Sequence, residues 1–204
     1  MLDTIVVLKV GSEKEEIRVH KGLLCETSPY FRAALQGGFR EAQDQTIEWP
    51  EEDPKITKIF QLWLYSGVLD FDAETLDESA WSTLIDLYGF AEPYDLPALK
   101  NSVMDIVLSY VIQDSWEIPW LVFNKVYSVT SPKAPLRQLL IDLAVHRRTR
   151  SWEMDEPVDT EGLFLRHFPK EYLVDVMLAE FDHKGSKEPG IGHLRGAHAR
   201  YMHV

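Results

Sequence analysis

The sequence predicts an α+β fold in which a small sheet is covered by helices and followed by an all-α extension. Two short apolar runs with strand character open the chain. Two helix starts of the same make follow, Ser28-Pro29 and Asp53-Pro54. Beyond them the apolar residues recur at helical spacing. Strands come first and helices accumulate after them, so alternating strand–helix–strand units are not expected.

Each element has a local reason. Residues 4–10 (Thr-Ile-Val-Val-Leu-Lys-Val) are β-branched and apolar, and Gly11-Ser12 ends the run. After the polar stretch 13–16, Ile17-Arg18-Val19-His20 alternates apolar and polar, which predicts the second arm of a hairpin. At Ser28-Pro29 a hydroxyl stands at the N-cap, and a proline takes the first helical position, where its missing N–H costs nothing. Tyr30, Phe31, Ala34 and Leu35 continue that helix and Gly37-Gly38 stops it; residues 45–49 predict a short strand.

Asp53-Pro54 starts a helix with the stripe Ile56, Ile59, Phe60, Trp63, Leu64, and Gly67 stands at its C-cap. Residues 78–90 carry Trp81, Leu84, Ile85 and Tyr88. From about Leu96 a further helix carries Leu99, Val103, Ile106, Val107 and Tyr110. The first ~110 residues therefore read β-β-α-α-β-α-α-α. Helices over 119–129, 135–147 and 169–181 follow, with a polar loop at 149–162. Tyr30, Phe31, Phe60, Trp63, Leu64 and Tyr88 are expected in the core.

Composition excludes several functions. The chain has 204 residues, 33 acidic against 21 basic, and a net charge of −12. Nucleic-acid binding needs a concentrated positive surface, so direct contact with nucleic acid is not expected. Cys25 has no partner for a disulfide, which fits a reducing compartment, cytoplasmic or nuclear. No apolar run reaches the ~18 residues of a membrane span, and the first residues lack the basic start of a signal peptide. Residues 183–204 carry Lys184, Lys187, Arg195 and Arg200 against Glu188, a formal +3 that leaves −15 on the preceding 182 residues. With glycines at 185, 190, 192 and 196, this tail is expected to be disordered.

The ordered motifs resemble a family. His20-Lys21, Leu23-Leu24 and Ser28-Pro29-Tyr30-Phe31 are similar to the opening signature of BTB/POZ domains. Phe39-Arg40-Glu41 follows, then the strand around Ile47, then Leu64-Tyr65-Ser66-Gly67, similar to the family's L-x-Y-x-G. Tyr88-Gly89-Phe90-Ala91 and the segment 94–100 resemble its last helix pair. The resemblance covers about residues 4–110, in order and with fitting spacing. It implies a BTB/POZ domain over 1–110, a helical extension over 111–182 and the tail over 183–204. This plan is similar to that of the short fungal BTB proteins.

The resemblance implies a protein-interaction module that self-associates or docks on cullin-3 as the adaptor of a ubiquitin ligase. A scaffold or transcription-associated regulator without a ligase role is the alternative. Family members that bind cullin carry a hydrophobic–any–glutamate element in the loop after the domain's second helix, and Phe39-Arg40-Glu41 matches it. Phe39 is then a hot-spot aromatic that Glu41 orients; alternatively, Phe39 tucks under its own domain and Glu41 is a solvated charge. Residues 119–147 match the helix pair that widens the cullin contact, or form only a packing layer. With the first strand at residues 4–10, the swapped dimer that an N-terminal helix and strand intertwine in many BTB proteins is not expected. No repeat or paired Cys/His spacing supplies a substrate-recruiting domain.

Other signals point to no chemistry. His20 is expected to close the strand-to-helix turn, since no acid or nucleophile pattern accompanies it. His146-Arg147-Arg148-Thr149-Arg150 is a basic cluster, read as helix-terminal cations or as an anion or nuclear-import patch. His193, His198 and His203 recur every five residues, which does not converge on a metal. Cys25 reads as a core residue. No phosphate loop or hydrolase motif is present, so neither cofactor nor metal nor enzymatic activity is expected.

Overall fold

The structure, a computed structural model, describes residues 4–72, 75–112, 118–151, 164–183 and 198–203. Three strands, β1 (Ile5–Val10), β2 (Glu15–His20) and β3 (Thr46–Trp49), form one sheet of order β2-β1-β3. β1 runs antiparallel to β2 and parallel to β3. The alternation in β1 sets the register, because Val6, Leu8 and Val10 are fully buried on one face. Val6 lies opposite Val19, Leu8 lies between Ile17 and Ile47, and Val10 pairs with Trp49. Every one of these partners is buried.

The helices are α1 (Lys21–Thr27), α2 (Pro29–Gln36), α3 (Arg40–Asp44), α4 (Pro54–Ser66), α5 (Glu78–Ala91), α6 (Pro97–Ile112), α7 (Trp120–Val129), α8 (Pro135–Ser151) and α9 (Lys170–His183). Both expected caps form. Ser28 Oγ accepts from the amides of Tyr30 and Phe31, and the Asp53 carboxylate accepts from the amide of Lys55. Gly67 has φ +72°, the left-handed C-cap expected of it, and its N–H donates to Trp63 O at 2.7 Å.

Packing divides the chain into two compact units, Met1–Phe71 with Asp86–Val103, and Asp72–Ile85 with Met104–Val204. Helices α5 and α6 each contribute residues to both. The first unit has an aromatic centre formed by Phe31, Trp49, Phe60, Phe90 and Tyr94. Tyr94 lies 4.7 Å from Trp49, 5.0 Å from Phe90 and 5.9 Å from Phe31, centroid to centroid. Its hydroxyl donates to Glu52 Oε1 at 2.6 Å, and burial, then this carboxylate, hold the phenol well above its ordinary range. Ser28 completes the centre from the other side, donating its hydroxyl to the Tyr94 carbonyl at 2.5 Å.

In the second unit Arg137 of α8 donates to Thr130 Oγ1 and to the Tyr127 carbonyl, both at 2.8 Å, and its guanidinium lies 4.2 Å from the centre of the Tyr127 ring. Phe123 of α7 meets Phe168 and Tyr172 at 4.9 and 4.8 Å, so one aromatic just before α9 and one in its first turn anchor that helix to α7.

The structure corrects the sequence reading in four places. Tyr30 is not core but 41% exposed, because Phe31 and Leu35 set the buried face of α2 and leave Tyr30 at its rim. Arg40 and Glu41 lie in a helical turn rather than a loop. Helix α3 buries no residue and so leaves no apolar stripe to read. Helix α8 continues to Ser151, through the basic cluster and into the expected loop; arginine is among the good helix formers. The side chains of that cluster, and His193, lie outside the described residues. Within the tail, Tyr201 is fully buried, because its hydroxyl finds a carboxylate partner in Asp142.

Ser28→Ala removes a helix cap and orphans the Tyr94 carbonyl at a buried site. It is expected to lower the unfolding free energy by about 2–4 kcal/mol in urea denaturation.

Candidate functional site

The surface that begins at the end of α2 holds the residues singled out from sequence. Gly37 ends α2, and its N–H donates to the Ala33 carbonyl at 3.0 Å. A Cβ at Gly37 would come within 2.5 Å of that carbonyl oxygen and 3.0 Å of the Phe39 ring. The ring of Phe39 therefore lies over the glycine backbone, where no side chain competes for the space, and remains 61% exposed. Phe39 does not tuck under its own domain.

Phe39 is also the N-cap of α3, although its side chain cannot cap. One turn of helix places Arg40 and Glu41 immediately after it. Arg40 Nε donates to Asp44 Oδ2 at 2.9 Å, an i,i+4 pair on a solvent-facing turn. This hydrogen bond, with the charge of Asp44, raises the guanidinium pKa further. Gln45 closes α3 at φ +49° and its carbonyl accepts from the amide of Val7 at 3.0 Å. The turn that displays Phe39 is thus tied to the central strand of the sheet.

Glu41 is half-buried. Tyr30 has its phenol raised by partial burial and, secondarily, by the charge of Glu41. Its ring makes edge contacts with Phe31 and Tyr94, both at 5.3 Å. The surface accordingly combines two exposed aromatics, Tyr30 and Phe39, with a carboxylate and a guanidinium. Rigid aromatics beside a few fixed charges suit a protein partner rather than a small molecule. Sequence reading assigned Tyr30 to the core. The i,i+4 pair Phe31 and Leu35 was the signal that could have placed it at the rim.

The other signature residues meet elsewhere in the first unit. His20 ends β2, and Lys21, half-buried, begins α1. The Tyr65 hydroxyl accepts from the His20 backbone N–H at 3.1 Å and lies 2.6 Å from His20 Nδ1. A phenol oxygen that accepts the amide can give its proton to Nδ1, with the imidazole proton then on Nε2. Histidine and tyrosine, 45 residues apart in sequence, therefore bind the strand-to-helix turn to the end of α4. This is the turn-closing place expected for His20.

Around Tyr65, Leu62 on the outer side of α4 and Val68, just past its C-cap Gly67, are each 68% exposed. Cys25 is buried, its thiol 3.9 Å from the Phe31 carbonyl. Among the described residues no three His, Cys, Asp or Glu side chains approach closely enough to hold a metal ion. A cavity of about 10 Å³ in the second unit, lined by Glu78, Ser82, Ile85, Pro119, Leu121, Val122 and Lys125, has the volume of a single water site.

The described residues form a three-stranded sheet under a helical cluster, with exposed aromatics at the end of α2. The family model of the BTB/POZ domain matches residues 3–114, more than half of the chain. The chain belongs to the BTB/POZ domain family, a family of protein–protein interaction modules. It is similar to BTB/POZ domain-containing protein 9 of Drosophila melanogaster, at 34% identity over 104 residues, 50% of this chain and 13% of that protein. The Bos taurus protein of that name is 32% identical over 95 residues, covering 46% of this chain and 15% of the relative. The Homo sapiens protein is 30% identical over 95 residues, covering 46% and 14%. The chain thus spans about one seventh of the length of the curated relatives it matches. Among the described residues no helix is long and apolar enough to cross a membrane.

Gly37 and Phe39 respond oppositely to truncation and addition. Phe39→Ala is expected to shift the unfolding free energy by no more than about 0.5 kcal/mol, as for an exposed side chain. Gly37→Ala forces a backbone shift and is expected to cost about 1–3 kcal/mol. Denaturation of the two variants side by side measures both.

Proposed function

We propose that this chain is a substrate adaptor that docks on cullin-3 through the surface formed by Phe39, Arg40, Glu41 and Tyr30. It works by binding, without turnover, in the cytoplasm or nucleus. The supporting observation is the exposed Phe39 ring held over Gly37, with the charge of Glu41, two residues on, near enough to act on the Tyr30 phenol. An aromatic presented on a fixed turn loses little conformational entropy on docking and can fill a partner's pocket. In this reading residues 1–110 form the docking domain, and the helices in 111–182 extend the contact or recruit the substrate.

Self-association is a second reading, favoured by the exposure of Leu62 and Val68 beside Tyr65. It makes the chain a homo- or hetero-oligomerisation scaffold, or part of a transcription-associated regulator, without a ligase role.

Titration calorimetry of the full chain with the N-terminal region of cullin-3 separates the two readings. The wild-type chain is expected to bind, and Phe39→Ala to weaken binding by about 30-fold, equivalent to the ~2 kcal/mol of a hot spot. Glu41→Lys is expected to abolish it. No binding by the wild-type chain, or equal affinity in both variants, removes the adaptor role. Light scattering that then shows a dimer sensitive to Leu62→Glu establishes the scaffold instead.

A further inference from the structure

The end of the chain carries a feature that interaction through the first unit does not use. The 3-10 turn His198–Tyr201 packs on α8. Tyr201 is fully buried there, and its hydroxyl donates to Asp142 Oδ2 at 2.6 Å. Arg200 Nη2 lies 3.4 Å from the same oxygen, and its guanidinium is 5.9 Å from the centre of the Tyr201 ring. The other oxygen of Asp142 accepts from Gln138 Nε2 at 2.7 Å, one turn earlier on the helix. Asp142 itself is only 5% exposed.

A carboxylate on the packed side of a helix is costly to bury unless its oxygens are bonded. Gln138 satisfies one oxygen of Asp142 from within α8. The second oxygen receives its donors from the tail, which joins the rest of the fold through residues 184–197. The two donors differ in kind. A phenol supplies a short hydrogen bond and a large apolar ring, while a guanidinium supplies the balancing charge.

We propose that Gln138 and Asp142 of α8 form a peptide-binding site that recognises an Arg-Tyr pair, and that the chain's own residues 198–203 occupy it as a tethered ligand. Occupation in cis needs little intrinsic affinity. A ligand carried on the same chain at an effective concentration of about 1 mM needs a Kd of only about 100 µM in trans to fill the site about nine-tenths of the time. Burial and the neighbouring carboxylate raise the Tyr201 phenol above its ordinary range, so the hydrogen bond persists throughout neutral pH.

The test uses the full chain carrying Tyr201→Ala, whose own tail can no longer fill the site. A fluorescent synthetic peptide of residues 198–204 is titrated against it by anisotropy. The expected result is saturable binding to Tyr201→Ala, with markedly less to the wild-type chain because its site is filled. Adding Asp142→Asn to Tyr201→Ala is expected to weaken the peptide by about 10- to 100-fold, the loss of a charge-assisted hydrogen bond. Absence of saturable binding, equal binding to the wild-type chain, or indifference to Asp142→Asn overturns the proposal.

Tyr201→Phe keeps the ring and removes only the hydroxyl, which guards against misfolding of the alanine variant. Hydrogen exchange is expected to accelerate in residues 198–203 while α8 stays protected. Acceleration of α8 in step with the tail would show that Tyr201 is part of the core, not a ligand.

Discussion

Ser28 and Tyr94 make the contact on which the first unit depends. The serine hydroxyl uses its full capacity, accepting from two amides at the start of α2 and donating to the carbonyl of Tyr94 between α5 and α6. Tyr94 adds an aromatic face to Trp49, Phe90 and Phe31, and a phenol to Glu52. One buried hydroxyl thereby joins a helix start to a turn 66 residues away in sequence. Buried polar groups specify geometry when each is satisfied, and this one is.

That geometry decides what α2 displays. With Phe31 and Leu35 committed to the core, Tyr30 falls at the rim, and the helix must end where Gly37 allows the chain to turn under the Phe39 ring. The Val7–Gln45 hydrogen bond fixes the far end of α3 to the sheet. The aromatic and the carboxylate are consequently set on a turn anchored at both ends. The same logic recurs in the second unit, where a buried carboxylate, Asp142, gathers Gln138, Arg200 and Tyr201.

Most elements were legible in the sequence because each had a local cause. Ser28-Pro29 and Asp53-Pro54 announced their helices, Gly67 announced its C-cap, and the apolar–polar alternation of residues 17–20 announced β2 as a hairpin arm with one buried face. The family followed from the ordered motifs between residues 4 and 110, and the model match over 3–114 agrees. What escaped had no local signature. Helix α3 has no buried residue, and the basic end of α8 has no stripe. The parallel pairing of β3 with β1 is a long-range choice that neither strand encodes alone. Tyr30 was misplaced because proximity to Phe31 says nothing about which side of the helix is buried. Tyr201 was missed because its partner lies 59 residues earlier.

Hydrogen exchange on the full chain with Ser28→Ala tests most directly whether this one hydroxyl holds the display surface. The account predicts faster exchange in residues 29–44 and 92–96 together, while the β1–β2 hairpin keeps its protection. Unchanged exchange in α2 and α3, or a uniform rise across the first unit, would contradict it.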